Sequence, residues 1–180
     1  MMIMKHALFS LIVVFTISLP SLQAPRALQD NEGKPVPITP MGPKLSGPRT
    51  SFSMSSGIWD QFRVVVRDRD AWFDVWKRIH RFDPHRGPHP EPPPLPEIDF
   101  SREMLIVAAM GARPTSGYAI IIDAAYAHER NYRLEVVVRS VENRKCGGFT
   151  VMTAPIDIVR LAKTERNVVF REIEAVLDCL

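Results

Sequence analysis

The spacing of apolar positions changes several times along the chain, and each change predicts an element. Phe62, Val64 and Val66 alternate with Arg63, Val65 and Arg67, the two-residue period of a strand with one buried face. The period then lengthens. Trp72, Val75, Trp76 and Ile79 recur at helical spacing, Asp68 and Asp70 stand where an N-cap is needed, and Lys77, Arg78 and Arg81 fall where cations suit the helix dipole. One amphipathic helix, anchored by two tryptophans, therefore follows the first strand. Residues 104–110 are the most continuous apolar run after the N-terminus and predict a central strand. Tyr118, Ile120 and Ile122 share one face of the next strand, and Leu134, Val136 and Val138 one face of the strand after it. Short connections predict an antiparallel hairpin across residues 111–117 and a three-stranded meander, with a turn at Glu129, Arg130 and Asn131. Phe149, Val151 and Thr153 predict another strand, stopped by Pro155; Ile156, Ile158 and Leu161 follow, and Val168, Val169 and Phe170 open a last segment whose remainder, 171–180, fits a continued strand better than the alternative, a helical turn around Ile173, Val176 and Leu177. The class is α+β and β-rich: a mainly antiparallel sheet of about six or seven strands with one amphipathic helix.

Prolines divide the remainder. Residues 25–56 carry Pro25, Pro35, Pro37, Pro40, Pro43 and Pro48 with few large apolar residues between them, which predicts a disordered arm ahead of a domain at 57–180. A second proline-rich stretch, residues 83–96, reads as an extended surface loop. His80, His85 and His89 lie in or near it, but no regular backbone sets them on one face and no carboxylate or thiolate completes a ligand set, so no metal and no cofactor is expected.

Residues 1–24 have the form of a secretory signal peptide: Lys5, an apolar run over 7–19, then a polar end at Ala24. The apolar run is too short for a spanning helix, and no cysteine precedes Cys146 to accept a lipid, so a periplasmic or extracellular protein without a stable membrane anchor is expected. The whole chain has a formal charge of +3. Residues 1–24 contribute Lys5 and no acid, so the mature chain stands at +2, too small an excess to support a nucleic-acid partner. In an oxidising compartment, Cys146 and Cys179 are expected to form one disulfide.

The stretch that most looks shaped for contact is Gly111, Ala112, Arg113, Pro114, Thr115, Ser116, Gly117 and Tyr118. Pro114 fixes its own φ, Gly111 and Gly117 permit positive φ, and Thr115 and Ser116 can bond their own backbone. Gly111 and Gly117 are the expected loop-shaping residues. Arg113, Pro114, Thr115, Ser116 and Tyr118 are the expected partner-binding residues, with Arg113 as the anchor because exposed Arg and Tyr dominate hot spots. Thr115 and Ser116 have no base nearby in sequence, and no phosphate loop, zinc-protease helix or paired-carboxylate motif occurs, so no catalytic residue is assigned.

That loop, with Ser56-Gly57-Ile58, Trp76-Lys77-Arg78, Ile98-Asp99-Phe100, Thr153-Ala154-Pro155, Val159 and Val169-Phe170 in the same order, resembles the C-terminal domain of the protease complex subunit PrcB family over about residues 57–179. The resemblance implies a bacterial exported domain that binds or stabilises a protein partner, possible partners including an extracytoplasmic protease, and it implies no proteolysis. Residues 113–118 also resemble the Asn-Pro-Thr-Thr-Gly-Tyr loop of chagasin-type cysteine protease inhibitors, with Arg113 in place of the asparagine. The alternative that this implies is a secreted protease inhibitor presenting the loop from Arg113 to Tyr118.

Overall fold

A computed structural model describes residues 33–41, 56–80, 93–144 and 149–177. The element order is β1 (Lys34–Val36), β2 (Thr39–Pro40), β3 (Phe62–Val66), α1 (Arg69–Ile79), β4 (Glu103–Ala109), β5 (Tyr118–His128), β6 (Arg133–Asn143), β7 (Ile156–Ala162) and β8 (Asn167–Leu177). The β-rich class with one helix holds, with eight strands among the described residues. They form two four-stranded sheets, ordered β1-β5-β6-β8 and β2-β7-β4-β3. We call these the first and second sheets.

β4 explains the layering. Met104, Ile106 and Ala108 face the core between the sheets, whereas Leu105, Val107 and Ala109 face the core under α1. A strand covered on both sides needs no polar face, which is why its sequence is continuously apolar. It is central, paired antiparallel with β3 (Val64 opposite Val107) and with β7 (Ile106 opposite Val159). Ile120 and Ile122 of β5 and Leu134, Val136 and Val138 of β6 close the first core from the other sheet.

α1 covers the outer side of the second sheet with Trp72, Val75 and Ile79. Asp68 is its N-cap, accepting the Ala71 N–H at 2.8 Å, and Asp70 sits in the first turn with Lys77 and Arg78 in the last. The predicted helix and its polarity are both observed.

Three strand expectations are corrected. β4 and β5 are not a hairpin: they belong to different sheets, so residues 110–117 carry the chain across the sandwich and the predicted meander reduces to the antiparallel pair β5–β6. Phe149, Val151 and Thr153 form no strand; Thr153 makes an isolated bridge to Arg113. β8 lies parallel to β6, with Asn143 opposite Leu177. The chain leaves β6, crosses to the second sheet as β7 and returns, so two reversals restore the original direction.

Part of the expected disordered arm is also ordered. Residues 33–41 run from one sheet to the other, pairing as β1 with β5 and as β2 with β7. Val36 and Ile38 pack on the inter-sheet core and Met41 on the helix-side core. Their alternation with Pro35 and Pro37 is compatible with strand because both pairings are at sheet edges, where a missing N–H costs little. The rest of the arm and the signal segment at 1–24 lie outside the described residues, as do Cys146 and Cys179.

The opposite side of the sandwich, between β3 and β8, is tied by side chains. Arg63 makes a two-pronged bond to Glu172, at 2.8 and 3.0 Å, and Arg67 donates to the carbonyls of Thr164 and Arg166. The paired fork geometry is the strong form of an arginine–carboxylate contact.

Candidate functional site

Three segments converge at one end of the sandwich: residues 56–61, 111–118 and 149–155. Ser56 fixes the first, its N–H and its hydroxyl both donating to the Ala154 carbonyl, at 2.8 and 3.0 Å. The Gly57 N–H donates to the Ile79 carbonyl at the end of α1. Trp59 follows, its carbonyl accepting the Ala112 N–H at 2.8 Å.

Gly111 is where this close approach is made. It has φ +76, and a Cβ there would stand 2.8 Å from the Trp59 carbonyl oxygen. Gly117 is buried without a positive φ; its carbonyl accepts the Asn143 N–H at 2.7 Å, which sets the loop against the end of β6. The expectation for both glycines is thus met in φ by Gly111 alone.

Between them the loop's polar groups are spent on the third segment. Arg113 and Thr153 exchange backbone hydrogen bonds at 2.7 and 2.9 Å. The Thr115 carbonyl accepts from the Thr153 hydroxyl at 2.9 Å, and the Thr115 hydroxyl accepts from the Gly117 N–H at 3.3 Å. The Ser116 N–H donates to the Phe149 carbonyl at 3.1 Å, and the Ser116 hydroxyl accepts the Phe149 N–H at 2.9 Å. Arg113 bonds the Ala112 carbonyl through Nη1 at 2.9 Å, and its guanidinium stands 5.8 Å from the Tyr118 ring centre. Pro114 is exposed, while Arg113, Thr115, Ser116 and Tyr118 are half-buried and Tyr118 packs against the inter-sheet core.

The loop therefore works as a platform, and the side chains it raises are apolar. Phe149 is 82% exposed and Met152 58%, with Val151 and Trp59 also open to solvent. The same end receives β8: Asn143, bonded to Gly117, lies opposite Leu177, and Tyr118 is in register with Glu142, which is in register with Val176. Val176 and Leu177 are exposed as well. Six of the nine large exposed apolar residues among the described ones, Trp59, Phe149, Val151, Met152, Val176 and Leu177, thus gather at this end. The spacing of Phe149, Val151 and Thr153 mimics a strand, which is what the sequence predicts there; the register around Gly117 and Thr153 shows the segment as surface.

Charge chemistry lies elsewhere. The fold lowers the pKa of His80 through burial, of Asp99 through hydrogen bonds from Ser101, and of Glu129 through hydrogen bonds from Arg166. None of the three belongs to the convergent segments. Among the described residues no cluster of histidine, cysteine and carboxylate side chains is placed to hold a metal, and the hydroxyls of Thr115 and Ser116 are engaged with backbone N–H groups.

The fold and this end together define a class: a two-sheet sandwich with an outer helix and an exposed apolar end built on a hydrogen-bonded loop platform. Residues 104–162 match the model of a family described as PrcB C-terminal. The match runs from β4 through β7 and includes the loop at 111–118 and the segment at 149–155, so the family resemblance read from the loop holds over that stretch. No curated protein and no solved structure matches the chain.

Proposed function

We propose that this chain is an exported, non-catalytic accessory domain that binds and stabilises another exported protein, such as an extracytoplasmic protease, through the apolar end of the sandwich. The observation that carries the reading is the gathering of Trp59, Phe149, Val151, Met152, Val176 and Leu177 around one hydrogen-bonded platform. Apolar side chains exposed singly need no explanation, but a concentration of them at one end of a domain is the kind of surface that partners cover. The match to the PrcB C-terminal family supports an accessory role. The contact chemistry sits on Pro114, Tyr118, the Arg113 guanidinium and the apolar side chains around them, while Thr115 and Ser116 hold the platform together.

The test is retention of partners by the mature protein from its host's envelope and medium, comparing wild type with Phe149→Ser/Met152→Ser. Both side chains face solvent, so unfolding should change by less than about 0.5 kcal/mol per site, whereas loss of a central apolar contact typically costs 2 kcal/mol or more, about 30-fold in affinity. Arg113→Ala should weaken retention with similarly small effect on the melting temperature. The same proteins retained equally by all variants would refute the reading. Near-stoichiometric slowing of papain-like or subtilisin-like proteases, in place of a longer partner lifetime, would favour the inhibitor alternative.

A further inference from the structure

The outer edge of β8 is open to pairing. The strand has eleven residues and no proline, and among the described residues β6 is its one neighbour in the sheet. The other sheet edges are short or carry proline: β1 has three residues with Pro35, β2 has two with Pro40, and β3 has five. A long edge without such protection is a template for another strand.

The bonds at the two ends of β8 show which of its backbone groups are free. The Asn167 N–H donates to the Tyr132 carbonyl at 3.2 Å, and the Leu177 carbonyl accepts the Arg144 N–H at 3.1 Å. Both residues therefore turn N–H and C=O toward β6, and by the two-residue period of a strand so do Val169, Arg171, Ile173 and Ala175. Val168, Phe170, Glu172, Glu174 and Val176 turn theirs the other way, to an edge that no described strand covers. The side chains of Val168 and Phe170 pack on the inter-sheet core and Glu172 meets Arg63 of β3, whereas Glu174 and Val176 are exposed.

Charge decides what fits this edge. Arg63 serves Glu172 and Arg67 turns to the carbonyls of Thr164 and Arg166, so no described cation pairs with Glu174. A second copy is a poor occupant. Two-fold pairing of β8 with itself centred on residue 171 sets Arg171 against Arg171; centred on 172 or 174 it sets Glu172 or Glu174 against its own copy, and centred on 173 it sets Glu172 against Glu174. Like charges directly opposite destabilise a strand pair. A strand of different sequence avoids this when it brings a cation to Glu174.

We propose that β8 binds an extended segment of the partner protein by strand addition along residues 170–176, with a lysine or arginine opposite Glu174 and an apolar side chain opposite Val176. The proposal rests on the apolar end as the contact surface, because Val176 and Leu177 belong to both and the added strand runs onto that end. Main-chain hydrogen bonds supply the affinity in this mode and alternate side chains the specificity.

The probe is the acetylated and amidated peptide Val-Thr-Lys-Thr-Thr-Glu-Val, which in antiparallel register sets its first valine opposite Val176 and its lysine opposite Glu174. It is titrated into the full chain while amide hydrogen exchange along β8 is followed by NMR. Without peptide, the amides of Phe170, Glu172, Glu174 and Val176 should exchange fast and those of Arg171, Ile173 and Ala175 slowly. Peptide at about ten times its Kd should slow the first set about tenfold and leave the second unchanged. Glu174→Pro removes an outward N–H that the β6 ladder does not use, so the chain should fold while peptide protection disappears and partner retention falls. If that variant does not fold, Glu174→Lys decides: it should weaken binding of the lysine peptide about fivefold, and glutamate at the peptide's lysine position should restore it. The proposal is overturned by amides of the first set that stay unmoved through about 10 mM peptide, or by binding unchanged in either variant. Protection of that set without peptide, rising with chain concentration, overturns it by giving the edge to a second copy. Partner retention lost in Phe149→Ser/Met152→Ser but intact in Glu174→Pro overturns strand addition and leaves the apolar end standing.

Discussion

Gly111→Ala is the sharpest probe of how the apolar end is held. At φ +76 an alanine enters the left-handed region, at a cost of about 1–2 kcal/mol. Its Cβ would also stand 2.8 Å from the Trp59 oxygen, 2.9 Å from the Asp60 carbonyl carbon and 3.0 Å from the Gln61 nitrogen. All three are backbone atoms that cannot rotate aside, so residues 59–61 must move, and the hydrogen bond from Ala112 to Trp59 goes with them, a further ~1 kcal/mol. The sum is about 2–3 kcal/mol, read as a fall in the urea midpoint by tryptophan fluorescence with the slope unchanged. Gly117→Ala is the control. Gly117 has no positive φ, and its Cβ would meet the Asn143 oxygen at 3.1 Å and the Thr115 hydroxyl at 3.4 Å, contacts that a shift of a few tenths of an ångström relieves, for about 1 kcal/mol or less. Because Trp59 moves in the first variant only, partner retention should fall there and persist in the second. A Gly111→Ala protein within about 0.5 kcal/mol of wild type, or the reverse order of the two variants, would refute the description of this junction.

Two further outcomes are expected. β6 and β8 run in register to their described ends, Asn143 opposite Leu177 and the Arg144 N–H donating to the Leu177 carbonyl at 3.1 Å, which brings the chain close on both sides just before Cys146 and Cys179; non-reducing mass spectrometry should show the two linked and reduction should remove about 2–4 kcal/mol of stability, and free thiols in secreted protein would contradict this. The Asp99 carboxyl is held below its ordinary value by the Ser101 hydroxyl and N–H, so its folded state prefers the charged form: the stability it adds is complete above the unfolded-state value and is lost as pH falls through the lowered folded one. Carboxyl titration by NMR should place Asp99 below the usual aspartate range and Ser101→Ala should return it upward; no movement in that variant would rule out the hydroxyl as the cause.

Local signals carried much of the architecture. The helix was legible because Asp68, the tryptophan spacing and the terminal cations agree on one element, and β4 because residues covered on two faces must all be apolar. β5 and β6 were legible from two-residue alternation, whereas the C-terminal segment fitted strand or helix until its pairing with β6 was seen. The first ordered stretch was not: Val36 and Ile38 alternate correctly, but Pro35, Pro37 and Pro40 are evidence against strand until one knows that both pairings lie at sheet edges. The same limit applies to Phe149, Val151 and Met152, whose pattern is that of a half-buried strand and whose position is surface.

The amino-acid order was thus sufficient for the helix and its polarity, for most strands from β3 onward, the β-rich class and the loop that organises the candidate site, because those depend on contacts within a few residues. Which sheet each strand joins, the parallel pairing of β8 and the assembly of six exposed apolar side chains at one end depend on residues far apart in the chain. Those were settled only when the two sheets packed face to face, β4 contributing to the cores on both of its sides, and the segments at 110–117 and 149–155 were brought together by Gly111, Thr153 and Asn143.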